Sequence, residues 1–431
     1  KGLCSPLPSV KPYTRKQIQT ALEQIILSEK STESERKIAE NQLARVTPPD
    51  EGFSLYRGSY FFKTEEKVKI TMDAGFKMNT RISDGLYSDS SNSFAFDWIP
   101  TVYARGDFGE HLSYSIDVFG NATIAPLTKV GTYDPTALWS NTGKESINVY
   151  ENRAFLPYSY TKIWDGSIYL ISQLDAGGLK GWASDTLGLG FGINSEIDAA
   201  FLADHIYIRA GRMYREWAGM DNGSSLLLNT SARPFLALES EISIFPWLRF
   251  SFLTGVLEFA NNSYITENGD GSLTYQNAYS LDMVELNFKY FETQFGTSCI
   301  WPKRFEIGYA FPLFNKVFYQ NNIGDYDNLN LFLNLKGKLP GLGSVWFSMF
   351  LDEVNGFSEV NGIFSGALFE YDRDMFALQG GAKVDLPFLP FASLSLRYTK
   401  IEPYCYTHQQ LNTTPWYYGT YISENYTNNG Y

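Results

Sequence analysis

Leu187-Gly188-Leu189-Gly190-Phe191-Gly192-Ile193 places an apolar side chain at every second position and a glycine between each pair. Successive residues of a β-strand point to opposite faces, so this stretch offers one greasy face and one bare one. The same period of two returns where Val284, Leu286, Phe288 and Tyr290 alternate with Glu285, Asn287 and Lys289. It returns again where Leu329, Leu331, Leu333 and Leu335 alternate with Asn330, Phe332, Asn334 and Lys336. Such segments recur from about Val68 to about Tyr398, with polar stretches between them. Strands of this kind through a whole chain predict a closed barrel with lipid outside and water inside.

Composition agrees with that reading. Charged residues make up only 19% of the 431 residues and aromatics 16%, including 29 Tyr and 32 Phe, a load that suits aromatic girdles at two membrane interfaces. No run of eighteen or more apolar residues exists, so a helical membrane span is not expected. Net charge is −12 and no Lys/Arg-rich run occurs, so nucleic acid is not an expected partner. Cys4, Cys299 and Cys405 are odd in number and far apart, which implies neither a disulfide framework nor a zinc site. Leu3 stands before Cys4 where a lipoprotein would carry a small residue, and Lys1 begins the sequence without an apolar leader.

Residues 14–46 form the one helical stretch, read as two short amphipathic pieces. Thr14 with Gln17 makes a capping box ahead of the stripe Ile18, Leu22, Ile25 and Ile26. Thr32 with Glu35 caps a second piece bearing Ile38, Leu43 and Val46, and Pro48-Pro49 closes it. Residues 1–50 are therefore an N-terminal helical segment and residues 51–431 one β domain. Strands are predicted near 54–62, 68–78, 98–106, 111–120, 166–174, 186–194, 204–212, 239–245, 249–258, 282–292, 303–311, 328–337, 343–351, 363–371, 375–385 and 392–400. Short joins such as Phe245-Pro246-Trp247 alternate with long polar ones at about 79–97, 121–165, 213–238, 259–281, 312–327 and 352–362. Short turns on one rim and long loops on the other mark an outer-membrane barrel, whereas a soluble β-sandwich or β-helix accounts poorly for the rhythm.

A catalytic constellation is not visible. There is no HExxH, GxSxG, P-loop or GxGxxG pattern, and Gly188, Gly190 and Gly192 read as lumen-facing or twist positions of a strand. His111, His205 and His408 lie in separate segments and read as rim or wall residues. Asp325, Asp327 and Asn328, like Asn268 and Asp270, fall short of a calcium loop and read as solvated turns, as does the pair Asp352 and Glu353. No enzyme activity, cofactor or metal is expected.

The richest segment is Gly211 to Pro234, GRMYREWAGMDNGSSLLLNTSARP. It starts at a barrel rim and concentrates Arg212, Arg215, Glu216, Trp217, Asp221, Asn222, Asn229 and Arg233. Planar polar groups around an exposed Trp are what a sugar site requires, since sugars offer in-plane hydroxyls and an apolar ring face. The same residue types also suit an ordered loop that plugs or narrows the lumen.

In this segment the chain resembles the capsule-assembly (Wzi-like) family of outer-membrane proteins. Gly211-Arg212, Trp217-Ala218-Gly219, Gly223, Leu226-Leu227-Leu228 and Ser231-Ala232-Arg233-Pro234 echo the family pattern, with Ala218, Met220 and Ser231 departing from it. Asp327-Asn328, the stretch from Gly337 to Asp352-Glu353, and the capped helices at 14–46 are further echoes. The resemblance implies an eighteen-strand barrel in the bacterial outer membrane, a periplasmic helical segment, no enzymatic activity and a surface face that binds capsular polysaccharide. Asn428-Asn429-Gly430-Tyr431 ends the chain where the family continues, so one or two closing strands are expected beyond the sixteen.

The sequence thus predicts an all-β transmembrane antiparallel β-barrel of about 16–18 strands with an N-terminal α-helical hairpin and outer-membrane lipid as its surroundings. On the lectin-like reading, Arg212, Arg215, Trp217, Asp221 and Asn222 contact capsular or other surface polysaccharide. On the alternative reading the barrel is a porin for passive diffusion, with lumen-facing Glu285, Lys289, Asn330, Asn334, Lys336, Lys383 and Arg397 setting solute preference. An enzyme of lipid or polysaccharide would need a nucleophile and base that the sequence does not show.

Overall fold

A computed structural model of the chain describes residues 2–47, 52–54, 59–65, 68–82, 94–109, 111–124, 128–133, 147–151, 168–171, 187–202, 205–229, 234–257, 277–302, 306–310, 315–323, 327–353, 375–402 and 405. The expected strand at 363–371, His408, Asn268, Asp270, Asp325, Ser231 and Arg233 lie outside the described residues.

After a two-residue strand β1 (Val10–Lys11) the chain forms α1 (Arg15–Leu27) and α2 (Glu33–Val46). Both begin with complete capping boxes: Thr14 and Gln17 bond reciprocally, as do Thr32 and Glu35, so two orphan donors are satisfied at each start. The stripe Ile18, Leu22, Ile25 and Ile26 is half-buried, and the two helices pack on each other.

A sixteen-stranded sheet follows, antiparallel at every pairing. Its first half runs β2 (Gly52–Ser54), β3 (Ser59–Glu65), β4 (Val68–Ile82), β5 (Phe94–Phe108), β6 (Leu112–Ile124), then β10 (Leu187–Phe201) and β11 (Ile206–Met213). Between β6 and β10 lie the hairpin β7 (Thr128–Tyr133) with β8 (Ile147–Glu151), and β9 (Ile168–Ile171), which pairs with β10. After the two-residue β12 (Glu216–Trp217) come β13 (Phe235–Phe245), β14 (Leu248–Val256), β15 (Asn277–Asn287), β16 (Phe291–Pro302), β17 (Asn328–Leu339), β18 (Gly343–Glu353), β19 (Met375–Asp385) and β20 (Ser393–Ile401). Two helices, α3 (Ile307–Ala310) and α4 (Asn315–Ile323), join β16 to β17.

The two faces of this wall have opposite chemistry. On one face Phe76, Trp98, Val102, Ile116, Ile193, Ile197, Ile208, Leu236, Leu238, Val345 and Phe347 are all exposed. On the other, Asp73, Arg105, Asp117, Glu196, Asp198, Arg209, Glu239, Glu241, Arg249 and Glu285 point the same way as the packed interior. An apolar exterior over a polar interior is the arrangement of a transmembrane β-barrel wall, and antiparallel walls of this size belong to the bacterial outer membrane. Tight turns at 246–247, 288–290 and 340–342 share one rim.

Several of the expected element boundaries need correction. The predicted strand 282–292 is two strands, because the chain reverses at Phe288-Lys289-Tyr290, where Phe288 N–H donates to the Phe291 carbonyl at 2.7 Å. Apolar residues continue the alternation straight through that turn, which hides it from a count of period two. The predicted strand 303–311 contains helix α3, and the expected loop 312–327 contains α4. The expected loop 213–238 ends earlier, since β13 starts at Phe235.

Candidate functional site

The lumen is filled on one side by two pieces of chain. Residues 214–229 turn inward from the end of β11, and β1 pairs with β12 antiparallel, Val10 opposite Trp217 and Lys11 opposite Glu216. Trp217 N–H also donates to the Leu228 carbonyl at 2.9 Å, closing the segment on itself. Ala218 needs φ +61 and Gly223 φ +66, so the segment holds a sharp path that glycine accepts freely and alanine only under constraint.

Polar groups of the inner wall hold these pieces. Ser9 bonds Glu285 through its hydroxyl and through its N–H, the latter at 3.0 Å, and Gln294 donates to the Ser9 hydroxyl at 2.6 Å. Asn334 donates to the Ala218 carbonyl at 2.8 Å and Lys336 to the Met220 carbonyl at 2.7 Å. Lys383 Nζ lies 2.9 Å from an Asp221 carboxylate oxygen, Ser395 donates to its other oxygen at 2.7 Å, and Arg397 donates to the Gly223 carbonyl at 2.6 Å. Burial pushes the Asp221 carboxyl up, but the bonds from Ser395 and Lys383 and the Lys383 charge outweigh it and leave the group below its ordinary value.

Beneath the polar ties lies an apolar cluster, in which Val10, Trp217, Leu227 and Leu228 meet Phe235, Leu253, Tyr279, Leu281, Phe332 and Phe350 of the wall. Arg215 anchors its edge. Its guanidinium donates to Glu239 and to the carbonyls of Met213 at 3.0 Å, Phe235 at 2.6 Å and Gly211 at 2.8 Å, and it sits 4.7 Å from the Phe235 ring centroid.

On the other side of the lumen the wall and the helical hairpin line an open cavity of about 1120 Å³. Tyr103, Tyr114 and Tyr207 line it with Asp73, Arg105, Asp107, Asp117, Glu196, Asp198 and Arg209, while Arg15, Gln19 and Arg45 close it from the helices. Arg105 pairs with Asp73 at 2.5 Å and Arg209 with Asp198 at 2.7 Å, and Arg15 pairs with Asp107. Tyr13 also faces the cavity; burial, then the charges of Glu216, Glu285 and Glu292, push its phenol up to about 12, so it remains a neutral donor at physiological pH. Gly192 has no room for a side chain, since a Cβ there would lie 2.3 Å from the Phe119 ring.

The five residues expected to touch sugar are thus brought near one another but divided by burial. Trp217 is 0% exposed and the Arg215 side chain likewise, so the expectation of an exposed Trp is corrected: the indole is needed to seal the segment against the wall. Asp221 is tied to Lys383 and Ser395; Asn222 is exposed and accepts from Lys11 at 3.1 Å; Arg212 bonds Asn194 and donates to the Ile193 carbonyl at 3.0 Å. Among the expected lumen residues, Glu285, Asn330, Asn334, Lys336, Lys383 and Arg397 share the inner register, but Lys289 sits in a turn with its Nζ 4.9 Å from the Tyr290 ring centroid. His111 and His205 sit at the short-turn rim, and Asp327 is buried, accepting from Tyr309 at 2.7 Å. The sequence reading missed Ser9, Arg209, Glu239 and Arg249, whose isolated polar letters carry no spacing signal.

No family model matches the chain and no curated protein matches it, so the capsule-assembly resemblance gains no support at the family level. Among solved structures, an anion-selective porin from Comamonas acidovorans is similar at 11% identity and TM-score 0.32, over 80% of this chain and 91% of that one. Pseudomonas aeruginosa OpdQ is similar at 10% identity and TM-score 0.28, over 77% and 80% of the two chains. Acinetobacter baumannii OccAB4 is similar at 10% identity and TM-score 0.31, over 78% and 82%. Likenesses this distant leave function to be argued from the lumen of this chain.

Proposed function

We propose that the protein is a narrow, non-catalytic diffusion channel of the outer membrane, its lumen reduced to one side by the segment 214–229 and the N-terminal residues 5–13. The cavity of about 1120 Å³, walled by ion pairs and tyrosines, carries this reading. A bulk water occupies about 30 Å³, so the space suits tens of waters or one small polar solute at a time. Paired charges of both signs along the wall favour solutes that carry dipoles or small charges over apolar ones. The hairpin α1–α2 stands at the rim of short turns, the periplasmic rim of such barrels, and forms the inner vestibule.

A polysaccharide would lose two of its expected contacts, because Trp217 and Arg215 support the wall and leave only Asn222, Arg212 and the edge of Asp221 to meet a glycan. Swelling of proteoliposomes in isotonic solutes separates the two readings. Entry of small sugars and amino acids, with exclusion of larger oligosaccharides, is expected. Impermeable vesicles whose protein retains polysaccharide would reverse the assignment.

A further inference from the structure

Helices α3 and α4, between β16 and β17, lie over the outside of the wall. Cys299, Trp301, Ala278 and Leu329 occupy outward register positions, and Tyr309 of α3 and Tyr319 of α4 pack on them. Trp301 and Tyr309 lie 4.8 Å apart by ring centroids, and Tyr309 and Tyr319 meet edge to face at 5.1 Å. Further down the same face, Asp282 stands at the middle of β15 and meets Lys316 of α4 at 2.9 Å, with the Lys316 side chain 0% exposed. A carboxylate in the middle of an outward-facing register has no business with lipid unless something covers and neutralises it. Helix α4 does both, turning Lys316, Tyr319 and Gln320 to the wall.

That leaves its opposite side facing away from the protein. Phe318 is 68% exposed and Ile307, on α3, 61%. The strands beside them continue an apolar surface: Leu331 on β17, and Val345 and Phe347 on β18, are all exposed on the same outward face. The geometry points to a lipid-embedded external helix: α4 lies against the wall within the membrane, Phe318 and Ile307 extend the lipid-facing band across the patch that Asp282 would otherwise interrupt, and acyl chains are the occupant of that surface. Continuity with the outward apolar residues of β17 and β18 selects acyl chains over a second copy of this chain, which would instead need a complementary polar or shape feature on the patch. This inference rests on the membrane-spanning reading of the wall.

The test uses full-length protein in vesicles, with Cys4→Ser as background because Cys299 and Cys405 are buried. A small fluorophore is attached at Phe318→Cys, at Val345→Cys on the wall, and at Leu27→Cys on the exposed end of α1. Each is quenched with brominated acyl chains and with aqueous iodide. Loss of most fluorescence at 318 to brominated lipid, matching 345, with iodide acting only at 27, is the expected result. Quenching of 345 by lipid but of 318 by iodide would overturn the external helix and leave the wall intact. A label at 318 that neither quencher reaches, together with unlabelled Phe318→Cys oxidising to an intermolecular disulfide, would give the surface to a second copy. Iodide quenching at 345 would remove the membrane-spanning reading itself.

Discussion

Replacing Arg215 with alanine is expected to release the lumen segment. Its side chain is fully buried, and removal strands the Glu239 carboxylate, which keeps only Arg209 at 3.6 Å, and three carbonyls that now accept from the guanidinium. Removing one partner of a buried ion pair costs about 3–5 kcal/mol, because the remaining charge stays desolvated and unpaired. At about 1.4 kcal/mol per tenfold, that raises the ratio of released to docked segment by roughly two to three and a half orders of magnitude. If half of the cost falls on the strands instead, about one to two orders remain. Arg215→Lys keeps the charge but not the planar fork, and is expected to fall between. Chymotrypsin cleavage near Trp217 and Leu226–Leu228 should accelerate by at least about tenfold in the alanine variant, with single-channel currents becoming larger and noisier. Cleavage rates and currents indistinguishable from wild type would refute the assignment of Arg215 as the anchor.

Three further outcomes follow from the same contacts. Deleting residues 2–11 removes Ser9 from Glu285 and Gln294 and Lys11 from Glu216, and should raise conductance without loss of the folded barrel on heat-modified gel migration. The Asp221 lock belongs to a carboxyl held below its ordinary value, so its contribution is complete above about pH 4 and disappears as pH falls through the lowered value; channel noise should rise in strong acid, and Asp221→Asn should show that noise already at pH 7. Gly211→Ala would place a Cβ 2.2 Å from the Ser195 carbonyl, a backbone atom that cannot swing aside, whereas at Gly223, φ +66, nothing lies within 4 Å. Refolding yield into detergent should therefore collapse for Gly211→Ala and fall only modestly for Gly223→Ala, where the left-handed backbone costs about 1–2 kcal/mol.

The wall was legible wherever a strand faces lipid on one side and polar groups on the other, as in Leu329–Lys336, where Leu331 is exposed and Asn330 and Asn334 are buried. It became illegible where that contrast fails. The outward positions of β16, Thr293, Phe295, Thr297 and Cys299, are of mixed polarity because α3 and α4 cover part of them, so alternation gave no strand there. The helical hairpin was legible from its capping boxes, which are local chemistry. The lumen segment was legible as a dense polar run that could plug the barrel, but its residues' roles were not. Only the register that brings Val10 opposite Trp217 shows that the indole is a seal and not a platform for a sugar. Contacts between Ser9 and Glu285, far apart in sequence, leave no local mark.

Single-channel recording of the purified protein in planar bilayers tests the channel assignment most directly, with the 2–11 deletion and Arg215→Ala measured alongside. Small discrete steps in the wild type, enlarged in both variants, are the predicted result. Bilayers that stay closed for all three proteins, while the protein is folded and inserted, would contradict a lumen that passes solute.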